Sequence, residues 1–199
     1  MVEYSDMKYL YIFNALYLIG GGIYFLNDLN HEFVIYVAVI VAILGLVFSL
    51  QQKAQFPLWM LWALSIWGLM HVLGGAVETR DGVLFAYRIY PFLDLGGDFY
   101  ILKYDQVVHA YLYGLVAIMA QHVLRVPMQV LGGSMLIGFV AVMISLGISG
   151  LNEIMEFIIA MSLERNGVGG YVNAMLDLIF NVSGAIIGVL LVACVSKRS

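Results

Sequence analysis

Residues 103–114 read KYDQVVHAYLYG, and in them Asp105 and His109 stand one helical turn apart at the head of a long apolar segment. An acid and an imidazole at i and i+4 project from one side of a helix. Tyr113 extends the same stripe by another turn. The spacing recurs: Glu153 and Glu156 are i,i+3 near the end of one apolar run, and Asp177 and Asn181 are i,i+4 near the start of the next. His71 lies in an earlier run, and Asn152 and Asn173 accompany the acids. Imidazoles and carboxylates on facing helices are the side chains of a divalent metal site or of an acid/base set.

The elements that carry them belong in a membrane. The chain has 199 residues, of which 63% are hydrophobic and only 11% charged, outside the range of soluble domains. Six apolar runs are long enough to cross a bilayer, which takes about 20 residues. They cover 9–27, 33–50, 57–77, 105–124, 129–161 and 171–195. The fifth is too long for an upright helix and must tilt, kink near Gly147 or Gly150, or project. The expected fold is all-α, a polytopic bundle of about six transmembrane helices forming a single integral membrane domain over 1–199. The one long connection, 78–104 between spans three and four, interleaves Gly, Pro and acids with aromatics. That composition suits a structured cap lying on the membrane surface.

Depth ties the polar residues together. Spans three and five run toward the 78–104 side, and spans four and six run away from it. His71 lies about six residues from the end of its span, roughly 9 Å in, and His109 is about four residues into its own, roughly 6 Å. Glu153 and Glu156 come near the end of span five, and Asp177 about a turn and a half into span six. All therefore fall in one half of the bilayer, beneath the long loop. A charge at a helix centre costs about 2.5–3.5 kcal/mol, so four carboxylates would cost on the order of 10 kcal/mol. Shallow depth and protonation reduce that figure. Clustering the acids demands a cation or a shared proton among them.

Other residues have plainer readings. Gly184 and Gly188 read as a small-xxx-small packing contact, and Trp59 and Trp62 as part of an interfacial belt. His31 and His122 near span ends are incidental. The eleven methionines form no stripe and fill core or lipid-facing positions. The lone Cys194 excludes a disulfide within one chain. The first residues, MVEYSDMK, lack a small-residue cleavage site, so the first span is expected to remain as an anchor. With net charge −4 and no Lys/Arg cluster, nucleic acid is not an expected partner. Lys8, Lys53, Arg125, Lys197 and Arg198 share the side of the termini, against Arg80, Arg88, Lys103 and Arg165 on the other. This bias and the short loops place the termini in the cytoplasm and the polar cluster in the extracytoplasmic half of the cell membrane.

The order Asp105-Gln-Val-Val-His109, Glu153-Ile-Met-Glu156, then Asp177-Leu-Ile-Phe-Asn181-Val-Ser-Gly184-Ala-Ile-Ile-Gly188 resembles that of the VanZ-like family. There Asp-x-x-x-His opens one span, Glu-x-x-Gln follows, and Asp-x-x-x-Asn-x-x-Gly-x-x-x-Gly opens the last. The chain looks still more like the related YjdF-like family of uncharacterised inner-membrane proteins. That family has a His followed by Gly in its third span, as at His71 and Gly74, then a long aromatic loop. A Tyr-Asp…His element follows, as at Tyr104, Asp105 and His109, and a Glu-x-x-Glu as at Glu153 and Glu156. The resemblance covers a core of about 68–190, and Arg165 stands too far upstream of Asp177 to match the VanZ-like arginine. It implies a polytopic membrane fold and, for the VanZ name, an association with glycopeptide (teicoplanin) resistance, with no established reaction.

The leading expectation is a metal-dependent enzyme acting on a lipid or lipid-linked substrate. His71, Asp105, His109, Glu153, Glu156 and Asp177 are the expected ligands of a divalent metal (Zn, Fe, Mn or Mg). His109, Asp105, Glu153, Glu156 and Asp177 are the acid/base set, with Asn181 orienting a carboxylate. A bound cation would let water attack a carbonyl or phosphoryl centre, and a protonated carboxyl would act as general acid. No HExxH, GxSxG, Walker loop or dinucleotide fingerprint offers another chemistry. Two other classes stay open. In a proton- or cation-coupled transporter the same groups bind transiently, but the opposite membrane half is almost wholly apolar and no inverted repeat is seen. In a structural or lipid-binding protein they form a hydrogen-bonded network that fixes the bundle.

Overall fold

In the computed structural model, residues 4–97, 99–163 and 169–196 are described. Arg165, Lys197 and Arg198, which enter the charge bias, lie outside them. The helices are α1 (Tyr4–Asn27), α2 (His31–Ala54), α3 (Leu58–Ala76), α4 (Tyr104–Arg125), α5 (Ser134–Ser162) and α6 (Tyr171–Ser196). Each is long and apolar enough to cross a membrane. The fold is all-α, as the composition and the apolar runs require.

Local chemistry sets the helix ends. Asn30 caps α2, its Oδ1 accepting from the Phe33 N–H at 3.3 Å. At the other end of α2, Gln55 adopts φ 53° and donates its N–H to the Gln51 carbonyl. Pro57 stands immediately before α3, where its missing N–H leaves no helical bond unmade. The fifth apolar run was expected from 129, but α5 begins only at Ser134, after Gly132 and Gly133. Glycine pairs favour non-helical backbone there. Neither Gly147 nor Gly150 breaks α5, which is continuous over 29 residues, about 43 Å.

The 78–104 connection is structured by small strands. β1 (Glu78–Thr79) pairs antiparallel with β2 (Gly82–Val83), and a 3-10 turn follows at Leu84–Ala86. β3 (Arg88–Gly96) pairs with β4 (Phe99–Lys103). The link between β3 and β4 is so short that they form a hairpin. β4 runs straight into α4 without a linker. Leu102 has φ 83°, a left-handed conformation disfavoured for a branched residue. Gln106 holds it there: its Oε1 accepts from the Leu102 N–H at 2.7 Å and its Nε2 donates to the Tyr100 carbonyl at 2.9 Å.

Two compact units divide the chain, residues 1–89 with 103–105 and residues 90–102 with 106–199. In the first, α1 packs on α3, and Leu10, Phe25, Ile40 and Leu61 are fully buried. A polar bridge crosses this packing: Asn14 Nδ2 donates to Ser65 Oγ at 2.8 Å, and the Tyr17 hydroxyl donates to Asn14 Oδ1 at 2.7 Å. At the loop end of α3, Gly74 and Gly75 leave bare backbone against which the rings of Phe85 and Phe33 rest. Those rings stack at 5.9 Å.

In the second unit α5 packs on α6, and small residues let the backbones of α4 and α6 approach. A Cβ on Gly184 would collide with the Ala110 carbonyl, and one on Gly188 with the Gly114 carbonyl. Gly184 and Gly188 are therefore packing positions against α4, as the small-xxx-small spacing implies. Ser145 on α5 donates to the Tyr113 carbonyl on α4 at 2.8 Å. Close α4–α6 approach and this bond hold His109 beside the polar faces of α5 and α6.

Candidate functional site

His109 is 8% exposed and sits among the acids and amides of α5 and α6. Its Nδ1 lies 3.1 Å from Asn181 Oδ1. Asn181, fully buried, turns its Nδ2 toward two acceptors, Ser149 Oγ at 2.8 Å and Glu153 Oε1 at 3.4 Å. With the amide nitrogen assigned to these acceptors, its oxygen faces the imidazole, an arrangement that suits a proton on Nδ1. In the neutral ring Nε2 then presents a lone pair, and it faces Glu156 Oε1 at 3.9 Å. Glu153 Oε1 lies 3.9 Å from Nδ1 on the other side of the ring.

Each of these acids is held by an asparagine. Asn152 Nδ2 donates to Glu156 Oε1 at 2.7 Å, one turn along α5. Asn173 Nδ2 donates to Asp177 Oδ2 at 2.6 Å, one turn along α6. Asn181 serves Glu153 across the helices. An amide donor lowers the cost of keeping a carboxylate out of water without adding charge.

One ligand atom each from Asp105, His109 and Asp177 lies within 4.8 Å of the other two. Asp105 clusters with the first unit, but the continuous helix α4 carries it one turn before His109. The three make a one-imidazole, two-carboxylate donor set, the mixture of types that Zn, Fe and Mn accept.

Of the residues expected from sequence, Asp105, His109 and Asp177 form this group. Glu153, Glu156 and Asn181 flank the imidazole. Asn181, expected to orient a carboxylate, orients the imidazole as well. His71 belongs to the first unit, where its ring meets Tyr36 at 5.4 Å, Trp67 at 5.7 Å and Phe85 at 5.0 Å. The three-residue group is formed without it.

Ser149 was not anticipated, and its signal was there to see. Ser145, Ser149, Asn152, Glu153 and Glu156 fall at i, i+4, i+7, i+8 and i+11, one polar stripe on α5. Buried Gln106 beside Asp105 carried no such signal, because its partners are backbone groups of β4.

The family model that matches, described as a predicted membrane protein (DUF2238), covers residues 8–198. It therefore takes in α1 and α2, which the motif resemblance over 68–190 left out. No curated protein and no solved structure matches the chain. With six spans and a match over nearly its whole length, the chain belongs to the DUF2238 family of predicted membrane proteins.

Proposed function

We propose that this multi-pass membrane protein is a metal-dependent enzyme acting on a lipid or lipid-linked substrate. The observation that carries the reading is His109: its Nδ1 is committed to Asn181, and its Nε2 faces Glu156 at 3.9 Å within a group completed by Asp105 and Asp177. A lone pair and several carboxylates in a buried space repel one another unless a cation or a proton lies between them. Asp105, His109 and Asp177 would hold a divalent ion, with Glu153 and Glu156 beside it as proton acceptor and donor. Ligand atoms on one tetrahedral centre at about 2.1 Å stand roughly 3.4 Å apart, so the carboxylates would swing inward by about an ångström to bind. The ion would supply Lewis-acid polarisation of a phosphoryl or carbonyl oxygen.

Depth along the helices supports the substrate class. A site about one turn from the start of α4 and a turn and a half from the start of α6, within membrane spans, would be reached laterally by a lipid more readily than by a polar solute. The motif likeness to the YjdF-like and VanZ-like families supports a common intramembrane site among them, and cytoplasmic termini would set it in the extracytoplasmic half.

Metal analysis of the detergent-purified protein, beside a His109→Ala/Asp177→Asn variant, tests this. One metal per chain in the parent, lost from a variant of unchanged helicity and melting profile, is the expected result. Absence of metal from a parent refolded or purified with Zn, Mn and Fe supplied sinks the reading and leaves a proton-coupled or structural network. The full set of asparagine–acid pairs would favour the structural one in that case.

A further inference from the structure

Strand β3 is bare. All nine residues from Arg88 to Gly96 are exposed, although six of them, Ile89, Tyr90, Pro91, Phe92, Leu93 and Leu95, are apolar or aromatic. Phe92 exposes 70% and Leu95 68% of their surface. Side chains alternate along a strand, so Ile89, Pro91, Leu93 and Leu95 share one face and Arg88, Tyr90, Phe92 and Asp94 the other. A half-solvated strand covers its apolar face and turns the polar one to water. Here the wholly apolar face is exposed as well.

Where the hairpin is tethered says what meets it. α3 ends at Ala76, two residues before β1, and α4 begins at the residue after β4. Both ends of the connection are therefore continuous with membrane spans, and the base of the hairpin stands at the membrane surface. The hydrocarbon itself is excluded, because a two-stranded sheet leaves β3 an unpaired edge, and unsatisfied backbone groups are not tolerated in lipid chains. The headgroup layer satisfies both demands. It offers water and polar groups to the edge and an apolar boundary to the rings, and aromatic side chains concentrate there. Pairing with β3 of a second copy is disfavoured, because Pro91 removes an N–H from the middle of the strand and blunts it as a template. Charge points to no lipid sign, as Arg88 and Lys103 balance Asp94 and Asp98. Asp94 is engaged locally, accepting from the Gly96 N–H at 2.9 Å.

We propose that the β3–β4 hairpin is a lipid-contacting element that lies in the headgroup layer, with Phe92, Leu93 and Leu95 of β3 against lipid. This is independent of whether the buried acids bind a metal.

Site-directed spin labelling of the full chain tests it. In a Cys194→Ser background, Phe92→Cys, Leu93→Cys and Leu95→Cys are labelled singly in phosphatidylcholine nanodiscs, with Arg80→Cys in the exposed β1–β2 turn as the water reference. The ratio of collisions with oxygen to collisions with an aqueous nickel chelate is expected to be at least threefold higher at the β3 positions than at residue 80, and unchanged when phosphatidylglycerol is added. Ratios equal to that at residue 80 overturn the proposal by placing the hairpin in water. Loss of both collision rates together with disulfide trapping of a dimer at residue 92 overturns it in favour of a protein partner. All the substituted side chains are exposed, so each variant is expected to fold.

Discussion

Asn181 Oδ1 stands 3.1 Å from His109 Nδ1, and this contact orients the imidazole between Glu153 on its Nδ1 side and Glu156 on its Nε2 side. The Asn181 nitrogen meets Ser149 and Glu153, and turning the amide over would set its oxygen against the Glu153 carboxylate. The ring is oriented by a neutral group, much as outer partners orient the ring of a metal-bound histidine.

Asn181→Leu should leave Nδ1–H, Ser149 and Glu153 without this partner. A buried group stripped of its hydrogen bond costs about 1–3 kcal/mol, and metal affinity should fall about 10–100-fold. Asn181→Asp should keep the imidazole oriented, yet bring a second carboxylate against Glu153. Titration with Zn in detergent and thermal melting, read together, check the pair. Equal metal affinity in both variants and the parent would remove Asn181 from any role at the site.

Gly184→Ala should separate α4 from α6, because the added carbon collides with the Ala110 carbonyl, which is backbone and cannot rotate away. Overpacking of this kind costs about 1–3 kcal/mol. Gly147→Ala, where nothing lies within 4 Å, is the matched control and should be neutral or slightly stabilising. Melting temperatures of the two variants in one detergent make the comparison.

Asn14→Leu should break the bridge from α1 to Ser65 on α3 while preserving side-chain bulk. Interhelical hydrogen bonds in membranes contribute about 0.6–2 kcal/mol, so a modest loss is expected in a denaturant unfolding series. Metal content should not change. A larger loss, with metal binding abolished, would mean the bridge does more than hold two helices.

Gln106→Leu should release β4, since no other residue is bonded to the Leu102 N–H in its φ 83° conformation through a side chain among the described residues. Losing about 1–3 kcal/mol of local hydrogen bonding corresponds to roughly a 5- to 150-fold drop in amide protection. Hydrogen exchange over 99–103 is the measurement, with the middle of α4 as the unaffected reference.

The six helices were legible because twenty-residue apolar runs admit few other solutions, and span limits moved by only a few residues where Gly132 and Gly133 delayed α5. The pairs Asp105/His109 and Asp177/Asn181 were legible because i,i+4 spacing fixes a face within one helix. What spacing does not fix is the rotation of one helix against another. That is why Ser149 meeting Asn181, and Asn14 meeting Ser65, had to come from the structure. His71 shows the same limit: its ring stands among Tyr36, Trp67 and Phe85, neighbours that spacing along α3 does not name.

The 29 residues of α5 have a consequence for the bilayer. An unbroken rod of about 43 Å exceeds a hydrocarbon layer of about 30 Å, and hydrophobic mismatch is relieved by leaning or by thickening the lipid around it. Glu153 and Glu156 ride near one end of that rod, where a change in lean displaces side chains most. Bilayer thickness would then set the lean of this helix, and with it the height at which Glu153 and Glu156 stand in the membrane.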